Sequence, residues 1–233
     1  MIYKFIDKYI DNHFIDEISH ILSKKKDDNL IIFDVGSFLG NFSRKIKNKI
    51  HSKKVDFYLF DPNKNLEVKD FSYFKFAFSN NQGTQDYYLN DFFPSGGSSL
   101  KTIVRDDALW NWTRKLITFN FNNKHFSTHK VDTDTIDNFC NIKNINKIDV
   151  LKIDVEGNEL EVLLGAEETL HNIFLIQIEV LENKKNFDKK FSQIKYLLEN
   201  KYGFKMINNK KMWTLDILSK MKAIDALFIK DIK

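Results

Sequence analysis

The residues best suited to chemistry lie in one short string, Lys152-Ile153-Asp154-Val155-Glu156-Gly157. The run Asp149–Asp154 reads as a buried strand, so its charged members arrive at a strand end. Alternation in an extended chain puts Lys152, Asp154 and Glu156 on one side. Three charges in such a place are costly unless they pair or react. Carboxylates brought together raise one another's pKa, which moves one toward the range of a general base. Glu179 closes the next expected strand and should lie beside Asp154 if the two strands are neighbours. This set suits removal of a proton from a hydroxyl. Asp154 or Glu156 is the expected base, with His129 a further candidate. Ser98, Ser99 and Glu179 are expected to face the acceptor.

A second constellation sits earlier, in Asp34-Val35-Gly36-Ser37-Phe38-Leu39-Gly40. The chain has only eight glycines, and two of them flank this turn. A phosphate-gripping P-loop needs Lys and then Ser or Thr after the last glycine, and Gly40 is followed by Asn41. A dinucleotide fingerprint needs a middle glycine, and that position is Phe38. An acid followed by Gly-x-x-x-Gly remains. It suits a nucleoside ligand without a pyrophosphate, such as S-adenosylmethionine, whose sulfonium and amino group favour a nearby carboxylate. Asp61, at the end of the second expected strand, is placed to accept both ribose hydroxyls. The expected cofactor contacts are Asp34, Gly36, Ser37, Gly40, Asn41, Asp61 and Ser79.

The elements that must position these residues alternate between strand and helix. Leu30–Val35, an almost continuous apolar run, and Val55–Phe60, Ser72–Phe78, Asp149–Asp154 and Ile173–Val180 read as strands, as in a parallel sheet covered on both faces. Thr84–Leu89 is an extra strand. Phe42–Ile50, Asp134–Phe139, Asn158–Leu170 and Phe187–Asn200 read as helices. Leu160, Leu163, Leu164 and Leu170 form the apolar side of the third of these. Tyr202–Ile207 and Ala226–Ile229 are short closing strands. Residues 2–22 carry an apolar stripe at helical spacing. They predict an N-terminal helical extension over 1–28, packed as a lid or cap on a main domain over 29–233. Residues 90–130 are the least regular stretch and read as an insertion or substrate loop. They hold one short helix near 106–116 and a Trp110, Trp112, Phe119 group that either packs as the core of that inserted helix, the favoured reading, or stacks on a sugar ring.

The string Asp149–Leu170, DVLKIDVEGNELEVLLGAEETL, resembles the signature of the FkbM-type methyltransferases. The Asp34–Gly40 turn, Gly97–Leu100, Val131–Phe139, Gln177–Val180 and Asp225–Lys230 are also similar to that family. The resemblance covers residues 30–230 in blocks. Ser37-Phe38 stands where the family more often has Ala-Asn, and Asp61 where it more often has Glu. The resemblance implies an α/β, Rossmann-like class I methyltransferase fold, with a mostly parallel seven-stranded sheet and an antiparallel last strand. It also implies methyl transfer to oxygen, typically a hydroxyl of a sugar or natural product. Gly36, Gly40 and Asp61 carry over as cofactor contacts, and Asp154 and Glu156 as motif members.

Bulk properties narrow the alternatives. The chain has 233 residues, 36 Lys+Arg against 32 Asp+Glu, and a formal net charge of +4. That length can bury a full core without disulfides. The charge is spread rather than gathered into a stripe, so no nucleic-acid partner is expected. One cysteine, Cys140, excludes an internal disulfide and fits a reducing, cytoplasmic location. No run is long and apolar enough for a membrane span. The expected partner is a small-molecule or glycan substrate. Clustered acids of this kind can hold Mg²⁺, yet no required metal is expected. His125 and His129 are four apart, but Ser127 and Thr128 favour extended chain over a metal-binding helix. Two other classes compete: a nicotinamide-dependent oxidoreductase, against which Phe38 counts, and a non-catalytic binding subunit, against which the four acids Asp34, Asp61, Asp154 and Glu156 count.

Overall fold

The structure, a computed structural model, describes residues 14–91, 98–103, 126–211 and 220–230. The start of the expected N-terminal helix, Gly96-Gly97 and the segment with Trp110, Trp112, Phe119 and His125 lie outside the described residues. Strand and helix alternate as α1 (Ile15–Lys24), β1 (Asn29–Val35), α2 (Asn41–Lys47), β2 (Lys54–Phe60), β3 (Ser72–Phe74), β4 (Ala77–Phe78), β5 (Gly83–Asn90) and β6 (Phe126–Asp134). The chain continues as α3 (Ile136–Lys143), β7 (Ile148–Ile153), α4 (Glu159–Leu164), β8 (Ile173–Asn183), α5 (Lys184–Tyr196), β9 (Lys205–Lys211) and β10 (Met221–Ile229).

Seven strands form one sheet in the order β3-β2-β1-β7-β8-β10-β9. β3, β2, β1, β7 and β8 are mutually parallel, and β10 runs antiparallel to both β8 and β9. This is the α/β, Rossmann-like class I methyltransferase fold. The chain crosses from β2–β3 on one side of β1 to β7–β8 on the other, so the carboxyl ends of β1 and β7 flank the switch point where such sheets bind ligands. Every residue of β7 is buried: Ile148, Val150, Leu151 and Ile153 are apolar, while Asp149 and Lys152 are buried against charged partners.

Each face of the sheet carries its own helices. Ile18 and Leu22 of α1 and Phe42 and Ile46 of α2 pack with Leu30, Ile32, Val150 and Leu175. On the other face α3, α4 and α5 contribute Phe139, Val162, Leu163, Phe187 and Ile194 against Phe33, Leu151, Ile153 and Ile176. α1 is thus a layer of this core over its described length. Its last turn is fixed at the amino ends of the strands, where Lys25 Nζ lies 2.5 Å from Asp149 Oδ1.

Several expected elements differ from those observed. Ser72–Phe78 is not one strand. It breaks at Lys75-Phe76, so that Phe74 stays beside Phe60 in the main sheet while Ala77-Phe78 joins a second sheet of order β4-β6-β5. β6 begins at Phe126, inside the stretch expected to be irregular, because it pairs antiparallel with β5 from Phe126–Asn90 to Thr133–Gly83. The helix expected from Asp134 starts at Ile136, where Thr135 caps it by accepting the Asn138 N–H at 3.1 Å. The helix expected over 158–170 ends at Leu164. Gly165 then passes so close to β4 that a Cβ there would sit 2.1 Å from the Ser79 carbonyl oxygen. Leu164, assigned to the apolar side, is 39% exposed as a result. β8 runs on past Val180 to Asn183, the first closing strand is displaced from the expected 202–207 to Lys205–Lys211, and the second begins at Met221 rather than Ala226. No helix among the described residues is long and apolar enough to cross a membrane.

Asp149 ties three elements together, since it also accepts the Ile31 N–H at 2.8 Å while only 1% exposed. Asp149→Ala leaves that donor and Lys25 without their acceptor. Urea unfolding is expected to show a loss of about 2–4 kcal/mol.

Candidate active site

The site starts from a backbone crossing. After β1 the chain turns at Gly36, with φ of 74°. A Cβ at Gly36 would lie 1.7 Å from the carbonyl oxygen of Asp154, so only glycine lets β1 leave the sheet beside β7. Backbone bonds lock the crossing. Asp154 N–H donates to Val35 O at 2.9 Å, and the Gly36 and Ser37 N–H groups donate to Phe60 O at 2.9 and 3.1 Å. The turn closes at Gly40, whose φ of 76° precedes α2.

Beneath the turn lies a buried charge network. Lys152 Nζ sits 3.2 Å from Asp34 Oδ1 and 3.3 Å from Asp154 Oδ2, and donates to Gly36 O at 3.4 Å. Ser43 Oγ donates to the other oxygen of Asp34 at 2.8 Å. Asp34 is fully buried by these partners and does not line the cleft, so it supports the turn from below rather than presenting a carboxylate to a ligand. Asp61, at the end of β2, accepts the N–H of Phe38 at 3.0 Å and of Asn63 at 2.9 Å. Burial pushes its carboxyl up to about 6, against the pull of those two donors.

The string after β7 is not extended as the sequence suggested. The strand stops at Ile153, and Glu156 adopts φ of 56°, a left-handed conformation unusual for a residue with a side chain. Its neighbours hold it there. Ser99 Oγ donates to Val155 O at 3.0 Å. Gly157 N–H donates to Glu159 Oε1 at 2.6 Å, and Asn158 Nδ2 donates to Phe78 O at 3.3 Å. Lys190 on α5 reaches in to pair with Glu159 at 2.7 Å and donates to Gly157 O at 2.7 Å and Leu181 O at 3.0 Å.

Gly36, Asp61, Ser98, Ser99, Asp154 and Glu156 converge on one cleft. Phe60, Phe76, Phe78 and Tyr87 form its aromatic walls. The other predicted residues fall elsewhere. Ser37, Gly40 and Asn41 build the turn and the start of α2 without lining the cleft. Ser79 is buried, with Oγ accepting from Gln85 Nε2 at 3.3 Å, and Ala77 and Phe78 line the wall in its place. His129 is exposed on β6, opposite Tyr87 in the ladder, and lines an adjoining pocket with Asn63 and Lys64. The structure does not bring it to Asp154. Glu179 stands on the neighbouring strand and pairs in register with Asp225, outside the cleft lining. Burial raises the carboxyls of Asp154 and Glu179 above the ordinary range. Lys152 opposes the rise at Asp154, while Asp154 and Asp225 add to it at Glu179. Among the described residues no group of three His, Cys, Asp or Glu is arranged to hold a metal.

Sequence reasoning missed Tyr87, Asn158 and Lys190. Lys190 left a signal: it shares one buried helix face with Phe187 and Ile194, where a charge needs a buried partner.

The sheet is flanked on both faces, its last strand is reversed, and a glycine crossing and an acidic β2 end meet at its switch point. A sequence-family model, the Methyltransferase FkbM domain, matches residues 34–206. The chain belongs to that family. No curated protein sequence matches significantly. Among solved structures, an FkbM methyltransferase from Methylobacillus flagellatus KT aligns at 10% identity over 87% of this chain and 44% of its own, with a TM-score of 0.47. This chain therefore spans less than half the length of that protein. M. capricolum TrmK, solved with S-adenosyl-homocysteine, aligns at 12% identity over 94% of this chain and 69% of its own, with a TM-score of 0.44. M. jannaschii TYW2, solved with AdoMet, aligns at 12% identity over 97% and 80%, with a TM-score of 0.39.

Lys190→Met leaves the Glu159 carboxylate buried without its cation. Chemical denaturation is expected to show a loss of about 3–5 kcal/mol, most of it recovered when Glu159→Gln is added.

Proposed function

We propose that this chain uses S-adenosylmethionine to methylate a hydroxyl of a sugar, glycan or small natural product. The observation that carries the reading is that one cleft joins a ribose-type carboxylate, Asp61, to the acid pair Asp154 and Glu156, across a turn bare of side chain at Gly36.

The residues present fit the cofactor. The Gly36 turn gives a ligand close access to backbone. Asp61 keeps lone pairs for a ribose diol beyond those that meet Phe38 and Asn63. Phe60, Phe76 and Phe78 offer faces for a purine. When bound, S-adenosylmethionine supplies an activated methyl group on a sulfonium. The negative charges of Asp61 and Asp154 favour that cation over a pyrophosphate ligand.

An alcohol is a poor nucleophile until its proton is taken. Asp154 and Glu156 line the cleft, and the raised carboxyl of Asp154 brings it toward a useful base. Asp154 accepts the hydroxyl proton at a carboxylate oxygen and becomes neutral; before the transfer Lys152, 3.3 Å away, steadies its ionised form. Glu156 orients the acceptor from its left-handed turn. Ser99 acts through Val155, holding the loop rather than touching the acceptor. The rest of the task is alignment and exclusion of water by the aromatic walls.

Asp154→Asn is expected to lower methyl transfer by at least about 100-fold while S-adenosylhomocysteine affinity stays within about 2-fold. Transfer is read with methyl-tritiated cofactor, and full activity would remove Asp154 from the role. Asp61 sets a pH dependence. Its folded carboxyl, at about 6, lies above its ordinary 3.8, so its contribution to the stability of the free protein is complete below 3.8 and is lost as pH rises through 6. Ribose binding uses the ionised form and runs the other way. Calorimetry should show cofactor-product affinity steady above about pH 7 and weakening toward tenfold per pH unit below 6.

A further inference from the structure

The fold gathers charge that the sequence scatters. The amino end of α5, the start of β10 and the end of β9 meet at one corner of the main sheet. Lys184 N–H donates to Lys220 O at 2.8 Å, and Met221 and Lys222 pair in register with Asn183 and Glu182. On the other side of β10, Lys210 and Lys211 pair in register with Asp225 and Ile224. The corner therefore collects Lys184, Lys185, Lys210, Lys211, Lys220 and Lys222, all exposed except the half-buried Lys222. Two acids stand among them: Asp188 pairs with Lys222 at 2.8 Å, and Glu182 faces Lys190 at 3.7 Å. Six lysines against two acids is an excess of four, equal to the formal net charge of the whole chain. Elsewhere exposed charges are matched one to one, as in Lys49–Asp16, Lys130–Asp86 and Lys201–Glu167.

Folding does not account for this corner. α5 opens on Lys184-Lys185 with no acid in its first turn, although the helix dipole favours acids there. Lysines on the edge strand β9 discourage pairing with another sheet, but that role needs none on α5 or at the start of β10. The corner also lies on the same rim as the cleft, because β7 and β8 are parallel and end there at Ile153 and Asn183. One step past the Ile153–Ile178 pair, Asp154 is followed across the sheet by Glu179, Asp225 and Lys210. Three strand spacings separate Asp154 from Lys210, about 14 Å. The two positions between them are acidic. A phosphodiester backbone laid along this row would bring its repeating phosphates against Glu179 and Asp225, which repel them. Hydroxyl groups donate readily to such carboxylates. The row thus suits a molecule that is neutral near the reacting hydroxyl and anionic farther out.

We infer that the lysine corner docks an acidic acceptor, one that carries an anionic group about 14 Å from the hydroxyl that is methylated. The inference rests on the O-methylation reading. It adds the charge of the acceptor and the surface on which that charge is held.

The test uses the full chain and methyl-tritiated S-adenosylmethionine. The acceptor source is an extract of the source organism's cells lacking this gene, split by anion exchange into neutral and retained fractions. The wild type is expected to label a retained fraction that survives ribonuclease and protease. The triple variant Lys185→Gln/Lys210→Gln/Lys211→Gln changes exposed side chains only. It is expected to fold normally and to bind S-adenosylhomocysteine within about 2-fold of wild type. It should need at least about 10-fold more of the retained fraction for half-maximal labelling, with the maximum unchanged. Raising salt from about 50 to about 200 mM should weaken acceptor use by the wild type more than by the variant. Equal half-saturation, or an equal response to salt, overturns the corner and leaves O-methylation standing. Label confined to the neutral fraction does the same. Retained label destroyed by ribonuclease or protease overturns the acceptor class as well. No label in any fraction overturns the methyl-transfer reading itself.

Discussion

The carbonyl oxygen of Asp154 and the missing side chain of Gly36 meet at the point on which the rest of the site depends. A Cβ there would overlap that oxygen at 1.7 Å. The contact lets the ends of β1 and β7 lie side by side, so the Gly36 turn and the carboxylate string face one space. Lys152 reinforces it by touching both strand ends at once, through Asp34, Asp154 and the Gly36 carbonyl. Asp34 and Lys152 are therefore structural in position and functional in consequence.

Among the described residues several charges lie inside. Asp34, Asp149, Lys152, Glu159 and Lys190 are all buried, each with an oppositely charged or backbone partner. Buried pairs contribute little net stability, but losing one member is expensive. Here they fix geometry. The Glu159–Lys190 pair grips Gly157 from both its N–H and its carbonyl, and thereby holds Glu156 in a conformation its backbone does not prefer.

Much of this was legible in the sequence where a signal was local. Apolar runs marked the parallel strands, because strands covered on both faces have no polar side to alternate with. Gly36, Gly40 and the missing middle glycine at Phe38 marked the turn. The acids Asp61, Asp154 and Glu156 were found by their places at strand ends, and they do meet in one cleft. What escaped was set by contacts distant in sequence. The second sheet depends on β6 meeting β5 across the poorly patterned stretch between them. The break within Ser72–Phe78 follows from two sheets competing for one run. His129 looked chemical by type, but the β5–β6 ladder carries it to the outer side of Tyr87. Lys190 acts on a loop 33 residues before it, and no motif spans that distance.

The most direct measurement is calorimetric titration of the wild-type chain with S-adenosylmethionine and, separately, with NAD. The proposed cofactor site, a turn without the middle glycine beside Asp61 and Asp154, predicts saturable one-to-one binding of S-adenosylmethionine and none of NAD. Binding of NAD, or of neither ligand, would contradict the assignment of the Gly36–Asp61 cleft.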